Sequence, residues 1–115
     1  MSRWWKALCF SKAGFLWAAR NERAFQEELI ALGLAVPLSF WISDSAWKRS
    51  ALIASILLVI LIETVNSAIE KLADHVSPDY NDAIKVTKDL GSLAVLIAIV
   101  IAGLFWIPAI LSRIA

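Results

Sequence analysis

The sequence is poor in the residues that staple a chain, ligate a metal or load a surface with charge of one sign. Cys9 is the only cysteine, so neither a disulfide pair nor a cysteine metal site is available. His75 is the only histidine; no second ligand is spaced to pair with it, and it reads as a solvated loop residue. Eleven Lys and Arg against ten Asp and Glu leave a net charge of +1, which gives no electrostatic footprint for a nucleic-acid partner. The N-terminus has basic residues but no long apolar stretch ending in a small-residue cleavage site, so no signal peptide is expected. The familiar nucleotide signatures are missing too: there is no G-x-x-x-x-G-K-[ST] loop, no kinase-type Gly-rich loop and no His-Arg-Asp sequence.

What the chain does have is apolar length. Sixty per cent of its 115 residues are hydrophobic and the mean hydropathy is +0.72. A soluble chain this short has too little interior to hide that much apolar surface. The composition therefore reads as one small, all-α integral membrane domain covering residues 1–115.

Residues 1–28 place Arg3, Lys6, Lys12, Arg20 and Arg23 among Trp4, Trp5, Leu8, Phe10, Phe15, Leu16 and Trp17. Aromatics mixed with Lys and Arg suit an amphipathic helix lying in the headgroup region, with a bend or break expected at Gly14. Residues 29–47 form the first span, interrupted by Pro37 and ending in Trp41 and Trp47 at the far interface. Residues 51–69 form the second span and residues 90–111 the third, which is uncharged and long enough to cross alone. Gly91, Ser92, Ala94 and Ala98 give the third span a small-residue face for close helix packing. Residues 75–89 form a polar connection punctuated by Pro78. Three spans put residues 1–28 and 75–89 on one side, and the excess of Lys and Arg there places that side in the cytoplasm.

One stretch carries chemistry into this frame: Glu63-Thr64-Val65-Asn66-Ser67-Ala68-Ile69-Glu70-Lys71-Leu72-Ala73-Asp74. At 3.6 residues per turn, Glu63, Glu70 and Asp74 fall within roughly 40° of one another, with Asn66 about 60° to one side of Glu63. Glu63 and Glu70 stand about 10 Å apart along the axis. The helix thus carries a polar stripe from membrane depth out to water. An intramembrane carboxylate is costly and is a functional candidate by default, although a structural polar pair between helices would also explain it. Hard cations such as Mg²⁺ take one or two carboxylates plus phosphate oxygens. A carboxylate withdrawn from bulk water can act as a general base, and a lysine such as Lys88 can hold phosphate as a point charge. These are parts of a phosphoryl-transfer site. Taken singly, Asn66 reads equally as an interhelical hydrogen-bonder, Glu27 and Glu28 as helix-start charges, and Lys88-Asp89 as a helix entry at the interface.

The Glu63-x-x-Asn66-Ser67-Ala68-Ile69-Glu70 core with Asp74 resembles the signature of the prokaryotic diacylglycerol kinases, small trimeric membrane kinases. Pro78-Asp79-Tyr80-Asn81, Thr87-Lys88-Asp89-Leu90-Gly91-Ser92 and the run to Ile99 follow at that family's spacing, and Ala18-Ala19-Arg20-Asn21-Glu22-Arg23-Ala24-Phe25 matches upstream. The likeness extends from about Arg3 to Trp106. It implies transfer of phosphate from Mg²⁺-ATP to the free hydroxyl of diacylglycerol, giving phosphatidate, by a homotrimer of nine spans whose active sites are shared between neighbouring chains. It implies a multi-pass protein of the bacterial inner membrane with a cytoplasmic N-terminus.

Carried over by position, Glu63 would be the general base and Asn66 would orient the hydroxyl. Glu22 and Glu70 would hold metal. Lys88, Asp74, Asp89, Arg3, Phe10, Asp79, Tyr80 and Asn81, together with Glu22 and Glu70, would form the nucleotide site. Glu28, Arg49, Ser92 and Trp106, beside Glu63, would meet the lipid. The chain departs from the family pattern at Phe10, where a Tyr is common, at Lys12, where a Trp is frequent, and at Gln26, where many members have Arg.

Two other functions are open at this point. A branch of the same family phosphorylates undecaprenol, although the Gly91-Ser92-Leu93-Ala94-Val95 run resembles the diacylglycerol branch more closely. A small transporter could use Glu63 as its carrier carboxylate, but such proteins need paired or inverted elements and only three spans are expected here. ATP consumption that depends on an added lipid alcohol separates the kinase from the transporter.

Overall fold

The structure, a computed structural model, describes residues 2–79 and 81–115. Four helices follow one another: α1 (Arg3–Asn21), α2 (Arg23–Ile42), α3 (Ala46–Val76) and α4 (Asp82–Ile114). The last three are long and apolar enough to cross a membrane. At 1.5 Å per residue, α3 and α4 are about 46 and 50 Å long, against roughly 30 Å of hydrocarbon. Both therefore extend beyond the bilayer core as a helical hairpin. The polar connection expected at 75–89 is mostly the ends of these two helices, and only residues 77–81 link them.

The packing has a simple period. On α2 the buried and half-buried positions include Phe25, Glu28, Leu32, Ala35, Ser39 and Ile42; on α3 they include Leu52, Ser55, Val59, Ile62, Asn66, Ile69 and Ala73. Steps of three and four alternate in both, which is the seam of a left-handed helical bundle. On α4 the seam runs Lys88, Gly91, Val95, Ala98 and Ala102. The expected small-residue face is thus corrected in part. Gly91 and Ala98 are buried in it, whereas Ser92 and Ala94 are exposed and Ala102 takes their place. Most large apolar side chains point outward, as those of a lipid-facing helix must.

The bundle is pinned hard at one end. Trp106 Nε1 donates to Leu52 O and Ser55 Oγ, both at 3.0 Å, joining α4 to α3. Arg113 Nε donates to Trp41 O at 3.0 Å, joining α4 to α2. Arg49 Nη1 donates to Ser43 O at 3.0 Å and lies over the Phe40 ring, 4.5 Å from its centroid. Pro37 lies inside α2 and Pro108 inside α4, and neither ends its helix; in lipid, packing against neighbours sustains such helices.

α1 has no buried residue. The molecule measures 52 × 41 × 22 Å; the lengths of α3 and α4 account for the longest extent, and three helices about 10 Å apart do not account for the 41 Å width. The extra width is α1, about 28 Å long, an exposed helix whose backbone packs against α2 alone. The break between α1 and α2 falls at Glu22, in an extended conformation, not at Gly14, through which α1 continues. Two side-chain amides explain this position. Asn21 Nδ2 donates to Trp17 O and Gln26 Nε2 to Ala19 O, both at 2.8 Å, and Ala19 O is a last-turn carbonyl that the helix end leaves without a backbone donor. Gln26, one of the departures from the family pattern, thus locks the α1–α2 corner. Phe15 and Phe25 meet edge-on across it with ring centroids 5.4 Å apart.

Candidate active site

The site grows from the α3 stripe. Asn66 faces α4, 6% exposed, because it occupies a seam position where the helices cross. Its Nδ2 donates to Glu70 Oε1 at 3.2 Å, one turn on. Its Oδ1 is buried and has no hydrogen-bond partner among the described residues. Glu63 and Glu70 flank the seam and are half-buried. The negative charges of Glu70 and Glu22 both reach Glu63, and that of Glu63 reaches Glu28. Glu28 lies on the packed stripe of α2, with Oε1 buried and unpartnered among the described residues. Glu22, Glu28, Glu63 and Glu70 thus interact electrostatically across α2, α3 and the α1–α2 corner, with Asn66 bonded to Glu70.

Two cavities lie along α3, one opening from this cluster and one beyond it at the end of the helix. The first, about 240 Å³, lies between α1, α2 and α3, and Glu22, Glu63, Thr64, Ser67 and Lys71 share its otherwise apolar wall with Trp17 and Phe25. Lys71 was not anticipated from the sequence. Its ammonium is 4.0 Å from Glu22 Oε1 and 4.4 Å from the centroid of the Trp17 ring, so it joins the surface helix to α3. The only sequence signal for it was its place inside the acidic stretch.

The second cavity, about 260 Å³, lies where α3 ends and α4 begins, lined by Asp74, Asp79, Asn81, Lys85, Lys88 and Asp89 among others. Lys88 Nζ is 2.6 Å from Asp74 Oδ1 across the two helices, and Lys85 Nζ is 2.7 Å from Asp89 Oδ2. Asn81 Oδ1 accepts from the backbone N–H groups of Ala83 and Ile84 at 2.8 and 3.4 Å, capping α4. Tyr80, expected beside them, lies outside the described residues.

The other expected residues are elsewhere. Arg3 stacks on Trp4, 5.2 Å from the ring centroid, about 28 Å along α1 from Glu22, and Phe10 is about 18 Å from it on the same count. Arg49 is about 21 Å along α3 from Glu63, bound into the far turn. Ser55, which Trp106 grips, is about 12 Å along α3 from Glu63. Ser92 is exposed beside Gly91.

No group of three or more metal-binding side chains converges among the described residues. Glu22 and Glu70 nevertheless offer hard oxygen donors. That donor set fits Mg²⁺, which binds through one or two carboxylates with substrate phosphates and water rather than in an all-protein cage.

The chain is similar to known proteins of one family. The sequence model of prokaryotic diacylglycerol kinase matches residues 9–110. The diacylglycerol kinase of Escherichia coli (strain K12) is 42% identical over 101 residues, covering 88% of this chain and 83% of that protein. The diacylglycerol kinase of Pseudomonas aeruginosa is 35% identical over 103 residues, covering 90% and 84%. The diacylglycerol kinase of Helicobacter pylori is 31% identical over 104 residues, covering 90% and 81%.

Proposed function

The chain belongs to the prokaryotic diacylglycerol kinase family, and from that premise we propose that it transfers the γ-phosphoryl group of Mg²⁺-ATP to the free hydroxyl of diacylglycerol, giving phosphatidate and ADP. The observation that carries the proposal is the pair of cavities on one helix. Glu63 lines the apolar one, and Asp74 lines the polar one with Lys88, about 16 Å further along α3. A substrate that stays in the bilayer and one that stays in water can thus meet between Glu63 and Glu70.

The chemistry follows from the positions. Glu63 accepts the proton of the lipid hydroxyl as that oxygen attacks the γ-phosphorus. The bond from phosphorus to the ADP oxygen breaks, and the electron pair leaves with ADP. Asn66 holds Glu70 in place by its Nδ2 and orients the hydroxyl. Lys88 and Asp74 seat the nucleotide, with Asp79, Asn81 and Asp89 around them. Glu22 and Glu70 are the residues that would hold Mg²⁺, which when bound neutralises charge on the phosphates. Glu28 bounds the lipid position beside Glu63.

The cluster lies at the cytoplasmic face of a bacterial inner membrane, where Arg3, Lys6, Lys12, Arg20, Arg23, Lys71, Lys85 and Lys88 collect. Arg3 and Phe10 are too far along α1 for their own chain's cluster and serve a neighbouring chain in a homotrimer, with Ser92 on the outward face of α4. Arg49 and Trp106 act as anchors of the far end and not as lipid contacts.

Phosphate transfer from labelled ATP in mixed micelles, with diacylglycerol and undecaprenol offered separately, tests the proposal. Rapid labelling of diacylglycerol is expected. Labelling of undecaprenol alone would move the protein to the polyprenol branch, and labelling of neither by folded protein would refute a lipid kinase.

A further inference from the structure

Gly91 is packed against the active-site asparagine. Built on the Gly91 backbone, a Cβ would collide with Asn66 Oδ1 and stand 3.0 Å from Asn66 Cγ, yet only 3.9 Å from Asn66 Cβ. The first contact is closer than real Cβ atoms tolerate, the second is tighter than most of them show, and the third is ordinary van der Waals contact. The obstacle to a side chain at position 91 is therefore the amide head of Asn66, with no other residue's atom closer than 3.9 Å outside α4's own backbone and the chain neighbours. Backbone conformation is not the reason for glycine, because no glycine has positive φ. Asn66 has little room to yield: it is 6% exposed at the α3–α4 crossing. Turning Oδ1 away from α4 also turns Nδ2 away from Glu70 Oε1, which it now holds at 3.2 Å.

We propose that Gly91 is a positioning residue of the phosphoryl-transfer site, which leaves on α4 the space that fixes the Asn66 amide and, through it, the Glu70 carboxylate. Gly91 acts through Asn66 and touches no substrate. The proposal rests on the reading of Glu70 as a residue that holds Mg²⁺ with the nucleotide.

The test is a double-mutant cycle on the detergent-solubilised full chain, with Gly91→Ala, Asn66→Ala and both together. Two readouts are taken: thermal unfolding without nucleotide, and equilibrium affinity for Mg²⁺ with a non-hydrolysable ATP analogue. Alanine is the better helix former, so a loss of stability in Gly91→Ala comes from the collision. Gly91→Ala is expected to lower the Tm and to weaken the metal–nucleotide complex about tenfold, the scale of one charge-assisted hydrogen bond. Asn66→Ala is expected to weaken it to a similar extent. In the Asn66→Ala background the second change should leave Tm equal or higher and affinity unchanged, because only the 3.9 Å contact is left.

Additive losses of Tm in the double variant would overturn the proposal, as would undiminished metal–nucleotide affinity in Gly91→Ala. If Gly91→Ala does not fold, the double variant decides: recovery of the fold supports the proposal and failure to recover refutes it. Glu70→Ala is the control for the underlying reading. Undiminished affinity there would refute Glu70 as a metal-holding residue, while the Tm cycle still measures the coupling of Gly91 to Asn66.

Discussion

Trp106→Phe separates two roles for one residue, lipid contact and structural clamp. The indole N–H is shared between Leu52 O and Ser55 Oγ, each at 3.0 Å. A phenyl ring keeps the apolar body and loses that donor. Neither acceptor is left without a partner in the clamp, because Ser55 Oγ itself donates to Leu52 O at 2.7 Å. The cost is therefore one shared hydrogen bond, about 0.6 kcal/mol on average and up to about 1.7 within a membrane. The smaller ring adds roughly 1 kcal/mol by leaving space against Leu52, which is only 3% exposed. A loss of about 1.5–2.5 kcal/mol is expected in unfolding by heat or by denaturing detergent, followed by near-ultraviolet circular dichroism in micelles. Turnover of the remaining folded protein should stay within about twofold of wild type, since Ser55 is about 12 Å along the helix from Glu63. Unchanged stability with the KM for diacylglycerol raised about tenfold, equivalent to about 1.4 kcal/mol of lost lipid binding, would refute the clamp and make Trp106 a lipid contact.

Glu63→Gln should preserve fold and metal–nucleotide affinity and lower kcat by about 10²–10⁴, because an amide cannot accept the proton; near-wild-type labelling of diacylglycerol would remove Glu63 from the base role. Lys71→Met removes the ammonium from Trp17 and Glu22, and should release α1 from α3, read as faster hydrogen exchange along Arg3–Asn21 with α3 and α4 unchanged. Lys88→Ala should raise the KM for ATP while leaving thermal stability within about 0.5 kcal/mol of wild type; a drop in stability with unchanged KM would make the Asp74 pair structural. Gln26→Ala should loosen the corner at Glu22 at a cost of about 1 kcal/mol, seen as protease cutting between α1 and α2 where the parent chain resists.

Much of this arrangement is readable in the sequence because helices impose a fixed angular step. That step alone puts Glu63, Glu70 and Asp74 on one side of α3 and marks where the apolar lengths lie. Contacts between distant segments are not so constrained. Gly14 is the conventional break signal, yet the chain turns at Glu22, because Asn21 and Gln26 supply donors to the end of α1. Ser92 and Ala94 looked as suited to close packing as Gly91 and Ala98; only the rotation of α4 against α3 chooses between them. Lys71 gained its place from a Trp more than fifty residues earlier. Arg49 and Trp106 matched the family pattern by position, and their hydrogen bonds tie them to the end of the bundle away from Glu63.

That pinned end also makes the molecule a depth gauge. Trp41, Trp47, Arg49 and Arg113 favour the interface on their side, and α3 is a stiff rod between them and the carboxylates. Glu63 lies about 21 Å from the Arg49 level, against roughly 30 Å of hydrocarbon. Its distance below the opposite surface is therefore whatever thickness the bilayer has left over, about 9 Å in a membrane of that size. Thickening the bilayer by a few ångströms sinks the carboxylate below the level of glycerol hydroxyls, and thinning it lifts Glu63 toward the water. Turnover measured across a series of phosphatidylcholines of increasing chain length should pass through a maximum, with the optimum set by a distance fixed on the opposite side of the membrane.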